Sequence, residues 1–176
     1  MQIKIHEDDS KTVKQQVQEG VLDMGVVMMP VDEKEFEIVP FVRDELCLFV
    51  HKSHPLASRD YVELKELEHE QFILIKQKLY HDLIVQSCID AGFRPEVAFE
   101  SSEWEFISGL ISENLGVSIF PRPMTNQVNS DCIKAIRIIN PTLPWHLGLV
   151  TKRKKNPSPA IRAFSEYISH NFPFST

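Results

Sequence analysis

Apolar residues recur along this chain with two different periods, and the two periods alternate. An unbroken apolar run, or strict alternation with polar residues, marks a strand. Apolar residues three and four apart mark a helix. Ile3 and Ile5 alternate with polar neighbours, as in a half-buried strand. Ser10 is placed to cap a helix that carries Val13 and Val17 and stops at Gly20. The run Met24-Gly25-Val26-Val27-Met28 predicts a strand buried on both faces. Residues 37–42 and 46–50 read as two further strands, and His54-Pro55-Leu56 as a turn. A helical turn fits 62–67, and 72–75 is another buried strand.

The alternation continues through the second half. Residues 79–90 read as a helix with Leu83, Ile84, Ser87 and Cys88 inward, followed by a short strand at 97–99. Ser102 and Glu105 fit an S-x-x-E capping box, and Trp104, Ile107, Leu110 and Ile111 form the apolar face of the helix it opens. Strands are expected at 117–120, 133–139 and 147–151. Ser158 and Pro159 are an N-cap and N1 pair for a last helix with Ile161, Phe164 and Ile168 inward. Such an order predicts an α/β fold with largely parallel sheets, as one globule or two tightly connected lobes.

Composition narrows the function. With 176 residues, 43% of them hydrophobic, the chain can bury a core. Nineteen Lys and Arg against 25 Asp and Glu give a net charge of −6, which argues against a broad polyanion-binding surface. Cys47, Cys88 and Cys132 are odd in number and far apart; the first two sit in apolar patterns and read as buried thiols of a reducing compartment. No apolar stretch approaches the ~18 residues of a membrane span, and the first residues lack the apolar core of a signal peptide, so a cytoplasmic location is expected. Phosphate-loop, dinucleotide, nucleophile-elbow and H-E-x-x-H motifs do not occur. His51 with His54, and His6-Glu7-Asp8-Asp9, read as solvated surface rather than metal sites. No cofactor, metal or catalytic constellation is expected, and the chain does not read as an enzyme.

The order of several short motifs resembles the effector-binding domain of LysR-type transcriptional regulators. They are Asp23-Met24-Gly25-Val26-Val27 after a capped helix, His54-Pro55-Leu56-Ala57, Ala91-Gly92-Phe93-Arg94-Pro95, and the run Ile111-Ser112-Glu113-Asn114-Leu115-Gly116-Val117-Ser118-Ile119-Phe120-Pro121. The resemblance implies two lobes like those of type 2 periplasmic binding proteins, joined by two crossover segments, with a small effector in the cleft. Mapped here, residues 1–71 with 145–176 form lobe I and 72–144 form lobe II. The hinge falls near Gln71-Phe72 and Pro144-Trp145. The family's helix-turn-helix domain, and the first strand and helix of its effector domain, have no counterpart in these residues. DNA is then met only through that further domain, and part of the pocket wall is absent or supplied by another chain.

Four strand ends are the candidate effector contacts: Met28-Met29-Pro30, Lys76-Gln77, Glu100-Ser101-Ser102 and Phe120-Pro121. Ligands of open α/β sheets bind beyond the carboxyl ends of strands, where helix N-termini gather. The two thioethers could mould around an apolar group or simply pack a turn. Lys76 could pair with a carboxylate or stand solvated. Ser102 is a cap whatever else it does, and Phe120 could be a pocket wall or core. Lys152-Arg153-Lys154-Lys155 reads as a solvated loop. The expected function is sensing of a small metabolite, such as a carboxylate, by a homodimer or tetramer whose subunit packing controls transcription. By the same resemblance, helices 10–20 and 79–90 supply dimer contacts. A transport-type solute-binding protein, or a dehydratase or synthase of the same two-lobe fold, is the alternative.

Overall fold

A computed structural model describes residues 3–153 and 157–172. They group into two compact units, residues 1–43 with 145–176 and residues 44–144.

In the first unit, helix α1 (Ser10–Glu19) lies on strand β1 (Met24–Met28). Asp9, not Ser10, is the N-cap: its carboxylate accepts the N–H groups of Lys11 and Thr12 at 2.8 and 3.1 Å and the Thr12 hydroxyl at 2.9 Å. These bonds, the Thr12 N–H foremost, hold the Asp9 carboxyl below the usual carboxylate range. Ser10 is drawn elsewhere, its Oγ accepting the Met28 N–H at 3.2 Å. At the other end Gly20 takes the left-handed conformation (φ 79°) and its N–H reaches the Gln16 and Val17 carbonyls. Val13 and Val17 pack with Val27, Phe36 and Val150 into the core of this unit. Gly25 is the floor under them, since a Cβ there would collide with the Val13 side chain.

Strand β1 pairs antiparallel with the last strand, β8 (Pro144–Lys152), with Val26 opposite Leu149. Only one face of β1 is covered; Val26, on the other, is 50% exposed, so the expectation of burial on both faces fails. Ile3 and Ile5 form no strand and are 63% and 91% exposed. No described strand lies beside them to take up their backbone groups, and alternation alone does not make a strand. Ser158 caps the final helix α4 (Pro159–Asn171) through the Ile161 N–H, and Ile161 is its buried residue. Lys152 donates to the Gln18 carbonyl and Arg153 to the Glu33 carbonyl. Lys154 and Lys155 of the basic run lie outside the described residues.

The two strands expected at 37–42 and 46–50 are one, β2 (Phe36–His51). Between the two expected strands the backbone stays extended, and there Asp44 meets Arg122 at 2.8 Å and Glu45 meets Arg137 at 2.8 Å. The first unit ends within this strand, at Arg43. The reason is local: 46–51, the 3-10 turn Pro55–Ser58 and strand β3 (Tyr61–Glu63) are laced to strand β7 (Ile133–Ile139). Lys134 adds a 2.7 Å bond to the Ala57 carbonyl.

In the second unit, β2 pairs antiparallel with β6 (Ser118–Pro121) and β7, and β7 pairs parallel with β3. Strand β4 (Gln71–Ile75) pairs parallel with β5 (Glu96–Ser101). Pairing is therefore mixed rather than largely parallel. Beside β4 the chain enters β6: Ile73 N–H meets the Val117 carbonyl and Val117 N–H the Gln71 carbonyl, both at 2.8 Å. The buried Ser118 hydroxyl adds a 2.5 Å bond to the Ile73 carbonyl. Helix α2 (Lys78–Asp90) follows β4 and helix α3 (Trp104–Ser112) follows β5. Gly116 makes the join possible: a Cβ would stand 2.5 Å from the Gln71 carbonyl oxygen.

Two predictions follow from this packing. Gly116→Ala should destabilise the protein by about 2 kcal/mol in urea unfolding, because backbone rather than a pliable side chain occupies the space. Burial pushes the Cys47 thiol up to about 11 and the Cys88 thiol up to about 12. With a thiol reagent at mildly alkaline pH, both should react only as the protein unfolds, whereas the half-buried Cys132 should react in the native state.

Candidate functional site

The second unit gathers three strand ends. Ile75 lies opposite Ser101 across the β4–β5 pair, and Lys76 N–H donates to the Ser101 carbonyl at 2.9 Å. Lys76-Gln77 and Glu100-Ser101-Ser102 are thus neighbours, as parallel pairing requires of two strands that end together. Each strand runs directly into a helix, so the first turns of α2 and α3 start from the same rim.

An aromatic cluster ties these helices to the end of β6. The Tyr80 ring, in the first turn of α2, stacks on Phe120 with centroids 6.0 Å apart. Trp104, the first residue of α3, meets Phe120 edge-on at 4.4 Å. Phe49 of β2 closes the group against both Phe120 and Trp104. The buried Tyr80 hydroxyl donates to the Ile119 carbonyl at 2.9 Å, and its burial raises the phenol well above its ordinary range. Phe120 and Pro121 are buried, Phe120 inside this cluster and Pro121 opposite Leu46 on β2.

Neither helix has a side-chain cap. Gln77 precedes α2 and Glu103 precedes α3 without bonding the first turn through their side chains. The expected capping box at Ser102 and Glu105 does not form, because α3 begins one residue later than that motif requires. Ser101 Oγ instead accepts the Glu103 N–H at 3.0 Å, and Ser102 Oγ turns to the Glu103 carboxylate at 3.3 Å. Open N–H groups at two helix starts, two serine hydroxyls and the exposed Lys76 make the rim receptive to an anion. Glu100 opposes this locally, but its carboxylate is bound to His81 Nε2 at 2.9 Å. Lys76, Val97, Ala98, Phe99 and Glu100 line an open groove of about 420 Å3.

Met28, Met29 and Pro30 belong to the first unit. Met29 N–H donates to the His146 carbonyl at 2.9 Å, and the Met29 side chain lies against Gly148 of β8. Both methionines are half-buried and Pro30 is exposed. A larger groove of about 650 Å3 in the same unit runs along α4, beside Glu37, Arg162, Glu166 and His170, and lies at no strand end named above. Among the described residues no group of three or more His, Cys, Asp or Glu is placed to hold a metal. His51 bonds Ser53; His54 accepts the Leu56 N–H and meets Glu70 at 3.1 Å. Among the described residues no helix is long and apolar enough to cross a membrane.

Tyr80 and His81 were not among the sequence candidates. Tyr80, Ile84 and Cys88 stand four apart, and that spacing marks Tyr80 as inward-facing. No sequence signal links His81 to Glu100, 19 residues away.

An α/β chain in two compact units, with strand ends meeting helix starts, has an architecture common among ligand-binding domains. The model of the LysR substrate-binding domain matches residues 1–173, and the chain belongs to that family. It is 38% identical over 162 residues, 92% of this chain and 54% of the other, to the uncharacterized HTH-type transcriptional regulator YwbI of Bacillus subtilis. It is 27% identical over 169 residues to AlsR of the same organism, covering 93% of this chain and 55% of that one. The chain thus spans about half the length of these curated relatives. Among solved structures, the C-terminal domain of a probable LysR family regulator from Rhodococcus sp. RHA1 superposes with a TM-score of 0.81 at 22% identity, covering 93% of this chain and 82% of that one. The effector-binding domain of QuiR in complex with shikimate gives 0.78 at 21% identity (94% and 78%). The Synechocystis PCC6803 CcmR regulatory domain in complex with 2-PG gives 0.81 at 17% (94% and 81%). The fold is that of LysR effector domains, two-lobed and like a periplasmic binding protein.

Tyr80→Phe should lower stability by about 1 kcal/mol in urea unfolding, since it leaves the Ile119 carbonyl short of a donor while keeping the ring in place. Tyr80→Ala should cost more, about 3–5 kcal/mol, by removing the ring as well.

Proposed function

We propose that this chain is the ligand-sensing part of a LysR-type transcription regulator and that its effector is a small metabolite with an acid group. The contacts in this reading are the strand ends that meet at the rim of the second unit, Lys76-Gln77 and Glu100-Ser101-Ser102. The observation that carries this reading is the rim of the second unit, where two uncapped helix starts, two serines and an exposed lysine converge beside a half-buried tryptophan. Such a rim offers donors to a carboxylate and an apolar side to its carbon skeleton. The complexes of QuiR with shikimate and of CcmR with 2-PG support it by analogy of fold.

The effector acts by binding one arrangement of the domain more tightly than another, which is the one way a ligand can shift an equilibrium. Dimer or tetramer packing then relays that bias to DNA-binding domains outside these residues, in the cytoplasm. The solvent-facing sides of α1 and α2 are the surfaces for subunit contact.

Calorimetric titration with a panel of small carboxylates, shikimate among them, tests the reading. Saturable binding of one acid is expected, quenching or enhancing Trp104 fluorescence. Lys76→Ala should weaken it about tenfold, the value of one charge-assisted hydrogen bond. Silence across the panel, or binding indifferent to Lys76, would overturn the reading.

A further inference from the structure

We propose that His81 is a positioning residue that holds Glu100 away from Lys76, leaving Lys76 free to meet an anion; its bearing on ligand rests on the function proposed above. Lys76 directly follows β4 and Glu100 lies one residue before the end of β5, and both line the same groove as Val97, Ala98 and Phe99. The strands are locked in register by the Lys76 N–H bond to the Ser101 carbonyl. Lys76 and Glu100 line the same groove, yet no ion pair of Lys76 occurs among the described residues. Glu100 is instead engaged by His81 Nε2 at 2.9 Å.

The competition is close. The His81 and Glu100 side chains are 26% and 44% exposed, and ion pairs in such settings are worth little. A small geometric advantage therefore decides which partner Glu100 takes. His81 has that advantage because it stands in the first turn of α2, its N–H bonded to the Gln77 carbonyl at 2.9 Å. The other charge beside the imidazole is Asp82, 3.6 Å from Nδ1, which Lys78 meets at 3.0 Å. Without His81, Glu100 swings to Lys76 and the rim exchanges a free cation for a neutral pair.

The test compares wild type, His81→Ala, His81→Gln and the double variant His81→Ala with Glu100→Gln. Two measurements are made: the nitrogen NMR signal of the Lys76 ammonium, and the affinity for inorganic phosphate as a generic anion. His81→Ala should shift the Lys76 signal and weaken phosphate about two- to fivefold. His81→Gln, whose amide still reaches Glu100, and the double variant should both return to wild type. A purely structural role for His81 would not be rescued by Glu100→Gln. An unchanged Lys76 signal in His81→Ala, or a double variant that stays defective, overturns the proposal. If wild type binds no anion at all, the proposed function fails, while the ammonium signal still decides the role of His81.

Discussion

The second unit depends on one ring. Phe120 sits at the end of β6, opposite Cys47 of β2, and carries Tyr80 of α2 on one side and Trp104 of α3 on the other. Aromatic pairs of this kind contribute about 0.5–1.5 kcal/mol each beyond the area they bury. More important here is direction. A stacked ring and an edge-on ring fix where each helix begins, and so where its open N–H groups point. The polar rim is positioned by an apolar contact beneath it.

The join between β4 and β6 is the second constraint. Two backbone bonds, the Ser118 hydroxyl and the bare Cα of Gly116 bring the chain against β4 without room for a side chain. Strand β5 hangs on the far edge of β4, so the position of Glu100 and Ser101 relative to Phe120 is inherited from that join. By comparison, the surface pairs Arg122–Asp44 and Arg137–Glu45 on β2 add little energy. The buried side chains hold the chain.

Much of this was legible from residue order. The buried strand at 72–75, the stop at Gly20 and the Ser158-Pro159 start follow from local chemistry that needs no distant partner. The misreadings share one cause. Ser102 and Glu105 have the spacing of a capping box, but Ser101 took the Glu103 N–H and moved the helix start. Ser10 precedes a helix as a cap would, but Asp9 was the better acceptor and Ser10 served Met28. Ile3 and Ile5 have the period of a strand, but pairing is a property of two segments. Residues 37–42 and 46–50 read as two strands, but the backbone between them stays extended, where Asp44 meets Arg122 and Glu45 meets Arg137.

What the amino-acid order determined by itself was the kind and succession of elements, the family and the strand ends worth inspecting. Those depend on period, on turn residues and on short motifs, all of which act within a few residues. What only the tertiary structure decided was which of several equivalent donors and acceptors found one another. His81 reaching Glu100, Phe120 receiving two helices and β2 running unbroken are contacts between residues far apart in the chain. Their choice turns on differences of about a kilocalorie in geometry that no local pattern encodes.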